Sequence, residues 1–229
     1  MIHQLIFANP KPGWTADQFL DYWLNVHAVK YASKIPQIVL YKVDCPVKNA
    51  AGLPGRPLPY AGVAEIWLEN DQTQLASLQS PEFIDGARRD EPNWAAFWET
   101  FALDTDPVPV LPGPPEVRPA QGVKLLTLWK RKPGMELGDF RTHLKARFAQ
   151  QLRDLSGLRR LLVGTVRDGF YAVGEAKFDA ATHLWFDTPE AAASGVAEFP
   201  GHDEFAEPRY TFSLLLRENW VIGPELRAG

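Results

Sequence analysis

Apolar positions along the chain recur with a period of two in short runs and of three to four in longer ones, and the two kinds of run alternate. Residues 2–8 read as a short β run closed by the turn Asn9-Pro10-Lys11-Pro12-Gly13. Thr15 followed three residues later by Gln18 is a capping-box signature for a helix. Phe19, Trp23, Val26 and Lys30 mark one side of that helix, and Leu20, Leu24 and His27 lie alongside. Pro36 ends it, because a residue before proline is pushed out of helical geometry. The pattern then predicts strands over 38–44 and 61–69, a helix over 71–88 and a last strand over 94–103. A second series follows: strands over 122–130, 158–166, 181–187 and 209–221, with helices over 137–154 and 189–206.

The second series repeats the first. Lys11-Pro12-Gly13 returns as Lys132-Pro133-Gly134, and at the same displacement of 121 residues Ile2 meets Val123, Leu5 meets Leu126, Phe7 meets Leu128 and Phe19 meets Phe140. Glu65-Ile66-Trp67-Leu68-Glu69 answers to His183-Leu184-Trp185-Phe186-Asp187, and Glu91-Pro92 to Glu207-Pro208. Residues 1–104 and 122–229 therefore read as diverged copies of one module. The run 105–121, with prolines at 107, 109, 112, 114, 115 and 119, reads as an extended connector.

The expected class is α+β. Each copy has the βαββαβ order of a ferredoxin-like unit, an antiparallel sheet with both helices on one face. Strand alternation says what the other face carries. In the first copy Ala64, Ile66 and Leu68 face the helices, while Val63, Glu65 and Trp67 face away. In the second, Leu184 and Phe186 pack, while His183, Trp185 and Asp187 share the far side. Large aromatic residues on that face argue for burial, so the two sheets are expected to pack face to face as an α+β barrel with a lined interior.

Composition narrows the function classes. A formal charge of −4 with acidic and basic residues interspersed argues against a nucleic-acid partner. No apolar run reaches the length of about 20 residues that a membrane helix needs. The single cysteine, Cys45, fits a reducing compartment, and MIHQLIFANP carries no leader pattern, so a cytoplasmic protein is expected. No HExxH, CxxC, GxGxxG, Walker or GxSxG pattern occurs, which directs attention to side-chain proton transfer without metal or other cofactor.

The first copy resembles the EthD family of dimeric α+β-barrel proteins. The resemblance rests on Lys11-Pro12-Gly13, Phe19, Tyr22-Trp23-x-x-x-His27-Ala28, Pro36, Tyr41, Ala64-Glu65-Ile66-Trp67 and Ser80-Pro81-Glu82-Phe83. In the second copy His143, Leu144 and Phe148 stand at the Tyr22, Trp23 and His27 positions, so a role tied to that pattern belongs to the first copy. The resemblance implies the fold more firmly than the reaction, because the wider superfamily holds isomerases, polyketide cyclases, oxygenases and haem enzymes.

Candidate catalytic residues are His27, Glu65, Tyr22 and His183. Histidine titrates near neutrality and serves as acid or base, Tyr22 offers a hydroxyl, and Glu65 with His183 holds equivalent positions in the two copies. Trp67, Trp185 and Trp129 are candidates to line the cavity, Trp129 on the Leu125-Thr127 side of its strand. Arg159 and Arg160 start a strand on which alternation sends one of them inward, where a guanidinium suits a substrate carboxylate. The loops 45–61 and 166–181 are candidate lids. The expected function is a cofactor-independent isomerase or cyclase acting on a small unsaturated or aromatic acid, in keeping with aromatic catabolism. The alternatives are a haem- or oxygen-dependent monooxygenase and a non-catalytic binding protein. A homodimer is plausible from exposed sheet edges.

Overall fold

The strand-forming runs close into a continuous wall. In the computed structural model, which describes residues 1–48, 50–113, 122–172 and 174–223, the long strands are β1 (Ile2–Ala8), β2 (Leu40–Pro46), β4 (Gly62–Leu68), β5 (Phe101–Leu111), β6 (Val123–Trp129), β7 (Leu158–Val166), β8 (Ala180–Phe186) and β9 (Phe212–Ile222). They follow one another as β2-β4-β1-β5-β7-β8-β6-β9, and β9 pairs back to β2, so the eight form a closed antiparallel barrel. A two-residue strand, β3 (Arg56–Pro57), adds to β9 in parallel. The first four long strands and the last four have the same relative order, β2-β4-β1-β5 and β7-β8-β6-β9. Closure departs from the face-to-face expectation. The two sheets join along their edges, β5 to β7 and β2 to β9, which pairs backbone groups that would otherwise be open.

The β5–β7 seam corrects the reading of the proline-rich run. The last strand of the first half is not 94–103 but Phe101–Leu111, and Trp94 to Glu99 lies in tight turns, with the Lys11 amide donating to the Trp94 carbonyl. Residues 101–105 pair with β1, while Thr105 to Leu111 pairs with β7. Pro107 and Pro109 thus lie beyond the end of β1. One neighbour remains there, and a missing N–H is tolerated on the vacated side. Composition alone had pointed to a connector where there is a strand; residues 114–121 of the expected connector lie outside the described residues.

The helices cover the outside of the wall. The Thr15 capping box forms, and α1 (Ala16–Tyr22) runs on through a π-helical turn, Trp23–His27. In the second half α3 (Leu137–His143) runs into a π turn at Leu144–Phe148, the same place after the 121-residue displacement. The helix α2 (Asp71–Gln79) stops short of 88 because Ser80, before Pro81, is extended; a π turn, Glu82–Ala87, follows. Similarly α4 (Pro189–Ala197) ends well before 206. Phe19, Trp23, Ala64 and Ile66 pack between wall and helices in the first half. Phe140, Leu144, Phe148, Leu184 and Phe186 do so in the second, each fully buried side chain stabilising by about 1.5–3 kcal/mol.

Alternation on β4 and β8 runs as expected, but β6 has the opposite phase. Val123, Leu125 and Trp129 face the helices, and Lys124, Leu126 and Leu128 face the interior. Trp129 therefore lines no cavity; it stacks among Phe148, Phe199 and Phe205, and its Nε1 donates to Thr182 Oγ1 at 2.9 Å. Among the described residues no helix is long and apolar enough to cross a membrane.

Candidate functional site

The residues singled out from the sequence divide between two places on opposite faces of β4. The first is on the helix side. The π turn carries His27, whose Nδ1 lies 2.9 Å from Asp90 Oδ2. The other Asp90 oxygen, Oδ1, accepts from the Tyr22 hydroxyl at 2.9 Å and from Asn93 Nδ2 at 3.1 Å. All partners of this carboxylate are donors, so Nδ1 carries the imidazole proton and Nε2 keeps its lone pair. Burial holds His27 below its ordinary pKa even beside Asp90. Burial and the Asp90 carboxylate push the Tyr22 phenol up to about 12, so it stays a donor. His27 borders a recess of about 80 Å³, lined also by Ile6, Trp23, Tyr41, Ile66, Phe83 and Trp94. Trp94 lies 4.6 Å from the His27 ring, and Trp23 Nε1 donates to the Tyr41 hydroxyl at 3.1 Å.

The second place is the barrel interior. Glu65 is fully buried, with Oε1 2.7 Å from Lys124 Nζ and 3.1 Å from His183 Nδ1, while Oε2 lies 3.7 Å from His3 Nε2. Lys124 also reaches Asp44 at 2.5 Å and Glu218 at 3.0 Å. Lys42 reaches Glu218 at 3.0 Å, and Trp185 Nε1 donates to Glu218 Oε2 at 2.9 Å. Two ammoniums thus face three carboxylates. Burial would raise all three acids. Lys124 outweighs it at Glu65, held well below the carboxylate range, and Lys124 with Lys42 brings Glu218 down to about 2. At Asp44 burial outweighs Lys124, and the carboxyl sits well above its ordinary value. Burial keeps both imidazoles neutral, with His183 lowered to about 4. One end of the interior is filled by Phe7, Val63, Leu126, Leu128 and Phe178. Trp67, Leu162 and Trp185 pack at the other, where Arg160 lies 4.5 Å over the Trp185 ring.

Tyr22, Trp23, His27 and Tyr41, which carry the sequence pattern of the first half, all gather at the helix-side recess. Residues 11–97 match the EthD domain. The matched stretch contains Asp90, Asn93 and Trp94 as well, so the hydrogen-bonded set Tyr22, His27, Asp90 and Asn93 lies inside it. Searched against curated protein sequences, the chain has no significant match. Solved structures with the same fold include a protein from Fusobacterium nucleatum subsp. nucleatum provisionally named a monooxygenase (TM-score 0.60, 10% identity, 95% of this chain and 92% of that one). An anthrone oxidase-like protein superposes with a TM-score of 0.60 at 12% identity, covering 100% of this chain and 96% of that one. A chlorite dismutase variant from Candidatus Nitrospira defluvii does so with 0.50 at 10%, covering 96% and 91%. At these identities the likeness is one of fold.

Of the expected site residues, the structure brings Glu65, His183, Trp67 and Trp185 together in the interior and Tyr22 and His27 together at the EthD recess. It does not join the two groups: Glu65 projects from β4 away from Ala64 and Ile66, which line the recess. His27 and Glu65 therefore cannot work on one bound molecule. Of the arginine pair, Arg160 takes the inward position and Arg159 is exposed, paired with Asp187. A haem does not fit the helix side of the second half as it stands. Phe140, Leu144 and Phe148 are fully buried there, and His143 stacks on Phe205 at 4.7 Å.

Sequence reasoning missed Asp90, His3, Lys42, Asp44, Lys124 and Glu218. The similarity between the two series of residues held a usable signal for one of them. The displacement of 121 residues that matches Leu5 to Leu126 also matches His3 to Lys124, placing Lys124 on the interior side of β6.

Proposed function

We propose that this protein is a proton-transfer enzyme, of isomerase or cyclase type, in which His27 Nε2 is the base at the EthD recess. The observation that carries the reading is the Asp90–His27 pair. A buried carboxylate fixes the tautomer, fills its remaining capacity with Tyr22 and Asn93, and leaves one imidazole lone pair beside a recess walled by aromatic rings. Proton abstraction leaves an imidazolium next to Asp90, which stabilises it, and the same nitrogen returns the proton at another position. The recess supports a flat, uncharged aromatic or conjugated carbonyl compound over a carboxylic acid, since its described lining includes no cation and Arg160 lies at the barrel end instead. At about 80 Å³ it admits the reacting edge of a ring; typical small-molecule pockets span about 300–1,000 Å³, so a larger substrate requires Phe83 and the turn at Ala32–Lys34 to give way. Two structural neighbours, one provisionally named a monooxygenase and one an anthrone oxidase-like protein, suggest a second outcome for the same first step. A carbanion formed at His27 would then meet dioxygen instead of being reprotonated.

We also read the two halves as copies of one ferredoxin-like module. The common strand order and the matching π turns support this.

The test is deuterium exchange at an acidic C–H position of phenolic and enone probes, followed by NMR in D2O, with oxygen uptake recorded in parallel. His27→Asn is expected to slow exchange by about 10²–10⁴-fold. Exchange unchanged in a folded His27→Asn protein would remove His27 from the reaction.

A further inference from the structure

A second constellation inside the barrel lies apart from the recess and is independent of the reading given for His27. We infer that His3, Glu65 and His183 form a binding site for one divalent transition-metal ion. The three side chains come from β1, β4 and β8 and are all completely buried. One donor atom from each lies within 4.8 Å of the other two. The two imidazole centroids are 5.0 Å apart.

Their polar atoms are poorly satisfied. Neither ring nitrogen of His3, nor His183 Nε2, nor Glu65 Oε2 makes a hydrogen bond among the described residues, and the one close approach of His183 Nδ1 is to Glu65 Oε1 at 3.1 Å. Leaving such atoms buried and unpaired is unfavourable, and four of them converge here. A cation bound to one nitrogen of each ring and to Oε2 would satisfy three at once.

A neighbouring group makes the contrast. Asp44, Glu65 and Glu218 also bring donor atoms within the same limit, but that place already holds a cation. Lys124 Nζ sits 2.5, 2.7 and 3.0 Å from the three carboxylates. Glu65 therefore divides its oxygens: Oε1 receives the ammonium and lies 3.1 Å from His183 Nδ1, while Oε2 is free of the ammonium and 3.7 Å from His3 Nε2. A donor on the far oxygen of a ligating carboxylate is an outer-shell arrangement that orients the ligand.

The rings are also held in place from behind. His3 stacks on Trp67 with centroids 3.9 Å apart and planes at 18°, and His183 lies 5.9 Å from Trp185 at 21°. Two imidazoles and one carboxylate suit borderline ions such as Fe2+, Zn2+, Co2+ or Ni2+, and disfavour Mg2+ and Ca2+, which prefer oxygen. Three protein ligands leave coordination positions for water or for a small molecule.

The test is isothermal titration of the chelator-treated full chain with Zn2+ and Co2+, with metal content checked by mass spectrometry. One equivalent is expected for the wild type, with a Co2+ visible spectrum of low coordination number. His3→Ala and His183→Ala are expected to weaken binding by more than the about 10–100-fold that loss of an outer-shell partner causes. His202→Ala, on a histidine outside the barrel, is expected to keep the full equivalent. No saturable binding by the wild type, or equal binding by His3→Ala and His183→Ala, would overturn the site. Should the two variants fail to fold, wild-type crystals soaked in Zn2+ decide: an anomalous peak between the three side chains supports the site, and its absence overturns it.

Discussion

Asp90 organises the helix-side recess although no sequence pattern points to it. It lies 63 residues from His27 and looks like part of a charged helix end, Arg88-Arg89-Asp90-Glu91. Only the fold turns it under the π turn of the first helix. Asp90→Asn keeps the shape but supplies an amide in place of a carboxylate. It is expected to slow deuterium exchange by an amount comparable to His27→Asn, while Tyr22→Phe costs less, since Asn93 still donates to Oδ1. The pH dependence of stability follows from His27 as well. Burial lowers its folded pKa, so just below the ordinary value of about 6.5 the unfolded chain binds a proton that the folded chain refuses. The stability linked to His27 is complete above that value and is lost as pH falls through the lower folded pKa. Urea midpoints measured from pH 7 down to pH 5 are expected to fall less steeply in His27→Leu than in the wild type. In the interior, Lys124→Met leaves Glu65 and Glu218 buried without their main cation, an expected loss of about 3–5 kcal/mol at pH 7. The loss should shrink at lower pH, where protonation relieves the uncompensated acids; a variant as stable as the wild type would contradict the ion cluster.

The helices and strands were more legible than the side chains they deliver. Thr15 and Gln18 announced the first helix, and alternation on 61–69 and 181–187 assigned the inner and outer faces of β4 and β8. On β6 alternation cannot choose a phase, because Leu125, Leu126, Leu128 and Trp129 are apolar on both faces of a strand buried on both sides. That ambiguity sent Trp129 to the wrong side and concealed Lys124. The proline-rich segment misled for another reason. Proline forbids a strand only where its missing N–H would be needed, and the end of β1 removes that need beyond Thr105. The seam so formed is tight. A methyl group on Gly164 would meet Thr105 Oγ1 at 2.6 Å and Thr105 Cβ at 2.8 Å. Gly164→Ala is therefore expected to force β5 from β7 and cost about 1–3 kcal/mol, seen as a lower urea midpoint; an unchanged midpoint would mean that the seam is looser than described.

For the whole molecule, the two halves share one strand order around a closed barrel with two chemically distinct compartments. The wall that closes the barrel also divides the candidate residues, because β4 sends Ala64 and Ile66 to one side and Glu65 and Trp67 to the other. No reading of the chain as a line of residues could reveal that division, since both sets come from the same strand and the same half. Nor could it reveal the three residues proposed to hold a metal ion, which are separated by 62 and 118 positions and meet only after closure. The division makes the assignment of the base directly testable. Deuterium exchange into an enone probe, measured side by side for His27→Asn and Glu65→Gln, should fall by about 10²–10⁴-fold in the first and remain near the wild-type rate in the second, provided each variant is folded. The reverse result, exchange lost with Glu65→Gln and kept with His27→Asn, would put the chemistry inside the barrel and contradict the site at the EthD recess.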